Sequence, residues 1–140
     1  MPRVKDIMSP HLRTVTGEAP LTEVARLMRD TNEGAIPVVD ANGRPRGIIT
    51  DRDIVVRTIA SDMPAEDFKA GDIATRNVVT VAPEDDVRDA LEVLRKHSLK
   101  RVGVEQSGIL VGMISLGEIA LAIEPESVLA DAAAARLPAG

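Results

Sequence analysis

Thr50 and Asp53 stand three residues apart in Gly47-Ile48-Ile49-Thr50-Asp51-Arg52-Asp53-Ile54, where an apolar run gives way to charge and then turns apolar again. Ser115 and Glu118 repeat that spacing in Gly112-Met113-Ile114-Ser115-Leu116-Gly117-Glu118-Ile119. A hydroxyl and a carboxylate so placed, where a strand passes into a helix, support two kinds of chemistry. In the first, the hydroxyl caps the helix and the acid returns a hydrogen bond, which is a capping box. Ser115 with Glu118 fits that pattern fully; Thr50 with Asp53 nearly fits, Asp being less usual there than Glu or Gln. In the second, the carboxylate accepts from two neighbouring hydroxyls, such as those of a ribose. Such charge-assisted bonds contribute roughly 1.5–3 kcal/mol each once water is excluded. The helix N-terminus would meanwhile offer N–H groups to a phosphate, and Arg52 either reaches that phosphate or sits in solvent. The two roles are compatible.

Little else in the chain suggests covalent chemistry. No nucleophile stands at a sensible spacing from a base, and there is neither a P-loop nor a Gly-x-Gly-x-x-Gly stretch, so an enzyme is not expected. His11 and His97 are the only histidines, no cysteine is present, and no His-x-x-x-His spacing occurs, so no metal site is expected. His97 lies near a helix end, where an imidazole complements the dipole.

The 140 residues carry a formal net charge of −5 and a single aromatic residue, Phe68. That balance argues against a nucleic-acid surface, which needs a basic face and aromatic platforms for bases. The lack of cysteine excludes disulfides and fits a reducing compartment. No stretch approaches the roughly 18 apolar residues of a membrane span, and the N-terminus shows no apolar core of a secretory signal. A cytoplasmic protein without membrane contact is the expectation.

The elements that must position the two junctions come in duplicate. A shift of 66 residues lays Asp6-Ile7 on Asp72-Ile73, Thr14-Val15 on Thr80-Val81 and Val38 on Val104; a shift of 65 then lays Gly47 on Gly112 and Ile54 on Ile119. One gap suffices, and two copies are too few for a solenoid but suit a pseudo-twofold pair. Each copy begins with a short extended piece near 13–16 or 79–82. A helix follows at about 21–31, with Leu21, Val24, Leu27 and Met28 on one face, matched by Val87, Ala90, Leu91 and Leu94. Pro20 suits its first turn. Next come strands at Ile36-Pro37-Val38-Val39 and Arg46-Gly47-Ile48-Ile49, joined by the turn Asp40-Ala41-Asn42-Gly43. The second copy has Arg101 to Val104 and Val111 to Ile114, joined at Gln106-Ser107-Gly108. Closing helices are expected at about 52–61 and 116–123. The fold class is therefore α/β (α+β): two βαββα repeats packed with pseudo-twofold symmetry. The boundaries are 1–61 for the first repeat, 62–69 for a polar, proline-broken linker and 70–124 for the second. The alanine-rich tail, 125–140, reads as a short helix or a frayed end.

These residues resemble the CBS domain, and two copies in one chain resemble a Bateman module. The motifs that carry the likeness are Asp6-Ile7-Met8, the Thr14-Val15 piece, the helix with its LxxVxxLM spacing, Ile36-Pro37-Val38-Val39-Asp40 and Gly47 to Ile54, with their second-copy counterparts. The compact layout is similar to stand-alone bacterial CBS-pair proteins, including the actinobacterial hypoxic-response type. The resemblance implies that the copies pack sheet against sheet, that the clefts between them bind adenine nucleotides or relatives, and that two modules form a disc-shaped homodimer. Carried over residue by residue, it implies one site from Thr50, Arg52 and Asp53 with a wall of Asn77, Val79, Lys100 and Arg101. The other combines Ser115 and Glu118 with His11, Arg13, Gly34 and Ala35. Gly34 and Ala35 would leave room for an adenine. Lys100 and Arg101 would face a phosphate, or else complement the preceding helix end, and Glu33 beside a phosphate would be unfavourable.

The function implied is a regulatory, ligand-sensing module with no required cofactor. Its regulatory ligand would be AMP, ADP or ATP, or else NAD or S-adenosylmethionine. No effector domain is visible in the sequence, so the signal would pass to a partner protein or lie in the dimer change. The alternative is a CBS-pair interaction or structural protein with no nucleotide ligand.

Overall fold

The computed structural model describes residues 1–9, 11–76 and 79–126. The elements run α1 (Val4–Ile7), β1 (Val15–Thr16), α2 (Leu21–Thr31), β2 (Ala35–Val39), β3 (Pro45–Thr50), α3 (Asp51–Arg57), α4 (Ala70–Ile73), β4 (Thr80–Val81), α5 (Val87–Lys96), β5 (Arg101–Gln106), β6 (Ile109–Ser115) and α6 (Leu116–Ile123). The expected βαββα order is thus present twice. The tail expected to be helical or frayed lies, from Ser127 onward, outside the described residues.

The chain divides into two compact units: a continuous one, Arg13–Val78, and a split one made of Met1–Leu12 with Val79–Gly140. In the continuous unit, β1 pairs parallel with β2 and β2 antiparallel with β3, in the order β1-β2-β3. Helix α2 forms because Leu21, Val24 and Met28 recur at helical spacing and are buried, while Glu23, Arg26, Arg29 and Asp30 face out. Pro20 sits one place earlier than the first turn, at the N-cap. The helix stops at Asn32, whose left-handed backbone (φ 55°) suits an Asn cap. The hairpin turn is braced by Asp40, whose Oδ1 accepts from the backbone N–H groups of Asn42 (2.9 Å) and Arg44 (3.0 Å). Gly43 supplies the positive φ of 80° that the turn needs. The core gathers Val15, Leu21, Val24, Met28, Ile36, Val38 and Ile49, together with Ala70 and Ile73 of α4.

The split unit repeats this plan with β4-β5-β6. Its core holds Val81, Val87, Ala90, Leu94, Val102, Val104, Ile114 and Ile119, and also Val4 from α1. Helix α1 is tied in by its backbone: Val4 N–H donates to Asp85 O (2.8 Å), Lys5 N–H to Pro83 O (2.9 Å) and Ser9 N–H to Met113 O (2.9 Å). Burying Val4 completely contributes about 1.5–3 kcal/mol. The matching ties of α4 in the continuous unit run from Ala70 N–H to Ala19 O (2.8 Å) and from Gly71 N–H to Gly17 O (2.9 Å).

Two details differ from the sequence-based expectation. Helices α1 and α4, four residues each, precede the first strand of each repeat; each is started by an acid at its third position, Asp6 accepting from Arg3 N–H and Asp72 from Lys69 N–H. Helix α3, expected to reach about residue 61, ends at Arg57. There the Thr58 hydroxyl bonds back to Ile54 O, which weakens continuation of a helix. A separate 3-10 turn then covers Ile59–Ser61.

Candidate functional site

The junction of β3 and α3 is a reciprocal capping box. Asp53 N–H donates to Thr50 Oγ1 at 3.0 Å, and Thr50 N–H donates to Asp53 Oδ2 at 3.0 Å. Two orphan N–H groups of the helix start are satisfied this way, and the carboxylate is fixed in direction. The neighbouring strand is part of the same structure. Asp51 N–H donates to Gly34 O at 3.0 Å, and Ala35 pairs with Thr50 in register. Gly34 and Ala35, expected in the site of Ser115 and Glu118, thus adjoin Thr50 and Asp51 in the continuous unit. A Cβ on Gly34 would come within 3.1 Å of Asp51 Oδ2, because the Asp51 carboxylate lies against Gly34.

The second oxygen of Asp53 faces a cation. Arg57 Nη2 stands 3.6 Å from Asp53 Oδ1, with the Asp53 side chain only 17% exposed and that of Arg57 45%. Arg57 also donates through Nη1 to Ile73 O and through Nη2 to Thr75 Oγ1 (3.3 Å). Arg57 is the residue that the sequence reading missed. Its signal was available in the i,i+4 spacing from Asp53, which brings side chains together on a helix.

The split unit carries the counterpart. Glu118 N–H donates to Ser115 Oγ at 3.1 Å and Ser115 N–H to Glu118 Oε1 at 3.1 Å. Leu116 N–H donates to Lys100 O at 2.8 Å, and Arg101 pairs with Ser115. Lys100 and Arg101 thus occupy the places that Gly34 and Ala35 hold in the other unit. They lie beyond the end of α5 at Lys96, where Arg101 opens β5, so they do not sit in the helix's last turn. His97 does cap α5, its N–H donating to Val93 O at 3.1 Å.

The remaining predicted site residues fall as follows. Arg52 is exposed, its side chain without a hydrogen bond or ion pair among the described residues. His11 is exposed and belongs to the split unit; Arg13, also exposed, belongs to the continuous one. Val79 packs half-buried against the split unit's core. Asn77 lies outside the described residues. With seven residues, α3 spans fewer than two turns and offers a phosphate little dipole, so Arg52 is the stronger feature for an anion at this junction.

At the far end of β2 and β3 the continuous unit has a cavity of about 440 Å³, lined by Val38, Val39, Asp40 and Arg46 among others, and by none of the predicted site residues. The Asp40 carboxyl there is held below its ordinary range, chiefly by the Arg44 N–H, with Asn42 N–H and Arg46 adding against the opposing effect of burial. Among the described residues no three His, Cys, Asp or Glu side chains cluster as metal ligands would, and no helix is long and apolar enough to cross a membrane.

Comparison with known proteins gives a consistent result. The family model for the CBS domain matches residues 4–67 and again residues 70–125. The uncharacterized protein YlbB of Bacillus subtilis is 38% identical over 122 residues, covering 86% of this chain and 82% of YlbB. Hypoxic response protein 1 of Mycobacterium tuberculosis is 31% identical over 120 residues, covering 86% of this chain and 84% of that protein. The crystal structure of Hypoxic Response Protein I with two coordinated zinc ions matches with a TM-score of 0.80 at 30% identity, over 88% of this chain and 100% of that one. The CBS domain pair of MJ0100, in complex with 5'-methylthioadenosine and S-adenosyl-L-methionine, matches with a TM-score of 0.79 at 25% identity, over 91% and 99% of the two chains.

Proposed function

The chain belongs to the CBS-domain family, and from that premise we propose that it is a regulatory module, not an enzyme, that binds an adenosine-bearing ligand at its strand-to-helix junctions. The observation that carries this reading is the fixed carboxylate of Asp53. A carboxylate has about four acceptor positions. The capping box takes one and Arg57 faces another, which leaves acceptors for the two hydroxyls of a ribose. Because the carboxylate is already oriented, a ligand need not order it. Arg52 supplies an unpaired charge for a phosphate. The ligand class is AMP, ADP or ATP, with NAD or S-adenosylmethionine as relatives that carry the same ribose; the ligands of the MJ0100 pair support that class. Ser115 with Glu118 is the weaker second site, its carboxylate set one methylene further out.

The module acts in the cytoplasm as a homodimer in this proposal, and ligand binding acts by favouring one arrangement over another. Among the described residues, four of the seven exposed large apolar side chains, Val55, Val56, Ile59 and Met63, fall within nine residues, and a second copy would cover them. A partner protein, or the dimer itself, receives the signal.

A thermal-shift panel with AMP, ADP, ATP, NADH, 5'-methylthioadenosine and S-adenosylmethionine tests the ligand. Any one held at about 100 times its Kd should stabilise the protein by roughly 2.7 kcal/mol, and Asp53→Ala should reduce that gain. If no compound raises the melting temperature at millimolar concentration, the alternative stands: a CBS-pair interaction protein without a nucleotide.

A further inference from the structure

Arg57 touches two things that the sequence keeps apart. One is the Asp53 carboxylate, 3.6 Å from Nη2; the other is the chain just after α4, through Ile73 O on Nη1 and Thr75 Oγ1 at 3.3 Å from Nη2. A guanidinium is rigid and planar, so its two nitrogens cannot adjust independently. The segment it holds is already joined to β3: Ile48 N–H donates to Thr75 O at 3.0 Å and Thr75 N–H to Ile48 O at 2.9 Å. Nη2 is shared between Thr75 and Asp53, with neither contact at the shortest distance such groups allow.

The duplicated chain supplies an internal comparison. The shift that lays Ile48 on Met113 lays Arg57 on Ala122, and Thr75 corresponds to Ser9. The split unit keeps a backbone tie, from Ser9 N–H to Met113 O at 2.9 Å, but the methyl of Ala122 cannot join it to Glu118. The backbone arrangement therefore stands without an arginine, and Arg57 adds a guanidinium link to which Ala122 offers no counterpart.

We infer that Arg57 is a positioning residue that couples the Asp53 site to the segment after α4. When a donor from a ligand occupies Asp53 Oδ1, Nη2 shifts its share to Thr75, and the Ile73–Thr75 tether tightens. Occupancy of the continuous unit's junction is thereby transmitted to the stretch of chain that leads into the second repeat. The coupling rests on the reading of Asp53 as the ligand-accepting carboxylate, whereas the physical link between Asp53 and Thr75 does not.

Amide hydrogen exchange on the full chain separates the two. Without ligand, Asp53→Asn should change exchange at Ile48 and Thr75 by roughly three- to fivefold when Arg57 is present, the size expected of a partly exposed ion pair. In Arg57→Met and in Arg57→Lys, which keeps the charge but loses the fork, the same Asp53 change should move those amides by less than about 1.5-fold. An equal response in all three backgrounds, or none in the Arg57 protein, overturns the link. AMP at millimolar concentration is the second arm. Slower exchange at Thr75 in the parent protein but not in Arg57→Met supports coupling, and equal slowing in both refutes it. If AMP leaves every amide unchanged, the AMP reading fails and the ligand-free arm still decides the link.

Discussion

Replacing Gly47 with alanine would put a methyl carbon 2.5 Å from Thr75 O, 3.3 Å from Thr75 C and 3.5 Å from Arg76 Cα. All three are backbone atoms, so no side chain can swing aside, and the segment after α4 must move away from β3. That motion strains the two hydrogen bonds between Ile48 and Thr75. Losing both costs about 1–3 kcal/mol net, and forcing apart a packed contact adds roughly 1–3 kcal/mol. Alanine recovers about 0.4–1 kcal/mol by restricting the unfolded chain. The net expectation is a loss of roughly 1–5.5 kcal/mol. The counterpart substitution, Gly112→Ala, makes a natural control. Its methyl would meet Met8 Sδ and Ser9 O, each at 3.0 Å. The Met8 side chain can turn away, and only one hydrogen bond, from Ser9 N–H to Met113 O, is at risk, so about 0–1.5 kcal/mol is expected. The chain lacks tryptophan and tyrosine, so urea unfolding is best followed by far-ultraviolet circular dichroism. With a slope of about 2 kcal/mol per molar urea, Gly47→Ala should lower the midpoint by roughly 0.5–3 M. A midpoint within error of the parent, or a smaller loss than Gly112→Ala shows, would refute the close approach of Thr75 to β3.

Thr50→Ala and Ser115→Ala each remove one half of a capping box and should cost about 0.5–2 kcal/mol in the same urea assay. Leu21→Ala and Leu94→Ala each empty a fully buried position in one of the two cores, and each should cost about 2–5 kcal/mol. The Asp40 carboxyl titrates below its ordinary 3.8, because the backbone N–H groups of Arg44 and Asn42, with Arg46, favour its charged form. The unfolded chain therefore takes up that proton at higher pH than the folded one, so the contribution to stability is present above the ordinary value and lost as pH falls through the folded value. A parent protein more stable than Asp40→Asn above the ordinary carboxylate range, with the gap closing as pH falls below it, is the expected result; a gap that persists in acid counts against the turn brace.

Much of this architecture is legible from residue spacing alone. The apolar period of Leu21, Val24 and Met28 specifies α2 because one face of a helix must be buried, and the 66- and 65-residue shifts expose the duplication directly. The two junctions are legible as caps for a similar reason: capping is local chemistry across three residues, and both boxes form. What escapes is non-local or too short to show a period. Four residues cannot display helical periodicity, so α1 and α4 pass unseen, although Asp6 and Asp72 stand where a cap would need them. Nothing in Met1–Leu12 says which core Val4 joins, because a single valine fits either. Arg57 falls between the two cases. Its pairing with Asp53 follows from i,i+4 spacing, whereas its bond to Ile73 O depends on where α4 comes to rest.

The duplication makes the differences between the two junctions informative. One backbone device occurs twice, Asp51 N–H on Gly34 O and Leu116 N–H on Lys100 O, so the fold does not require any particular side chain there. The side chains nevertheless diverge as a group. The continuous unit carries Asp51, Arg52, Asp53 and Arg57 at its junction, of which Asp53 and Arg57 pair, with Gly34 and Ala35 on the neighbouring strand. The split unit carries Leu116, Gly117, Glu118 and Ala122 in the matching places, with Lys100 and Arg101 on the neighbouring strand. With Glu33 beside Gly34 the first junction has three acids and two arginines, whereas Glu118 with Lys100 and Arg101 leaves the second positive. Such a local excess favours anions, although solvent and salt weaken it at exposed Lys100. The first junction is therefore built to orient a carboxylate and the second to present positive charge. Since the caps alone account for the backbone at both junctions, that division of side chains is not dictated by the fold.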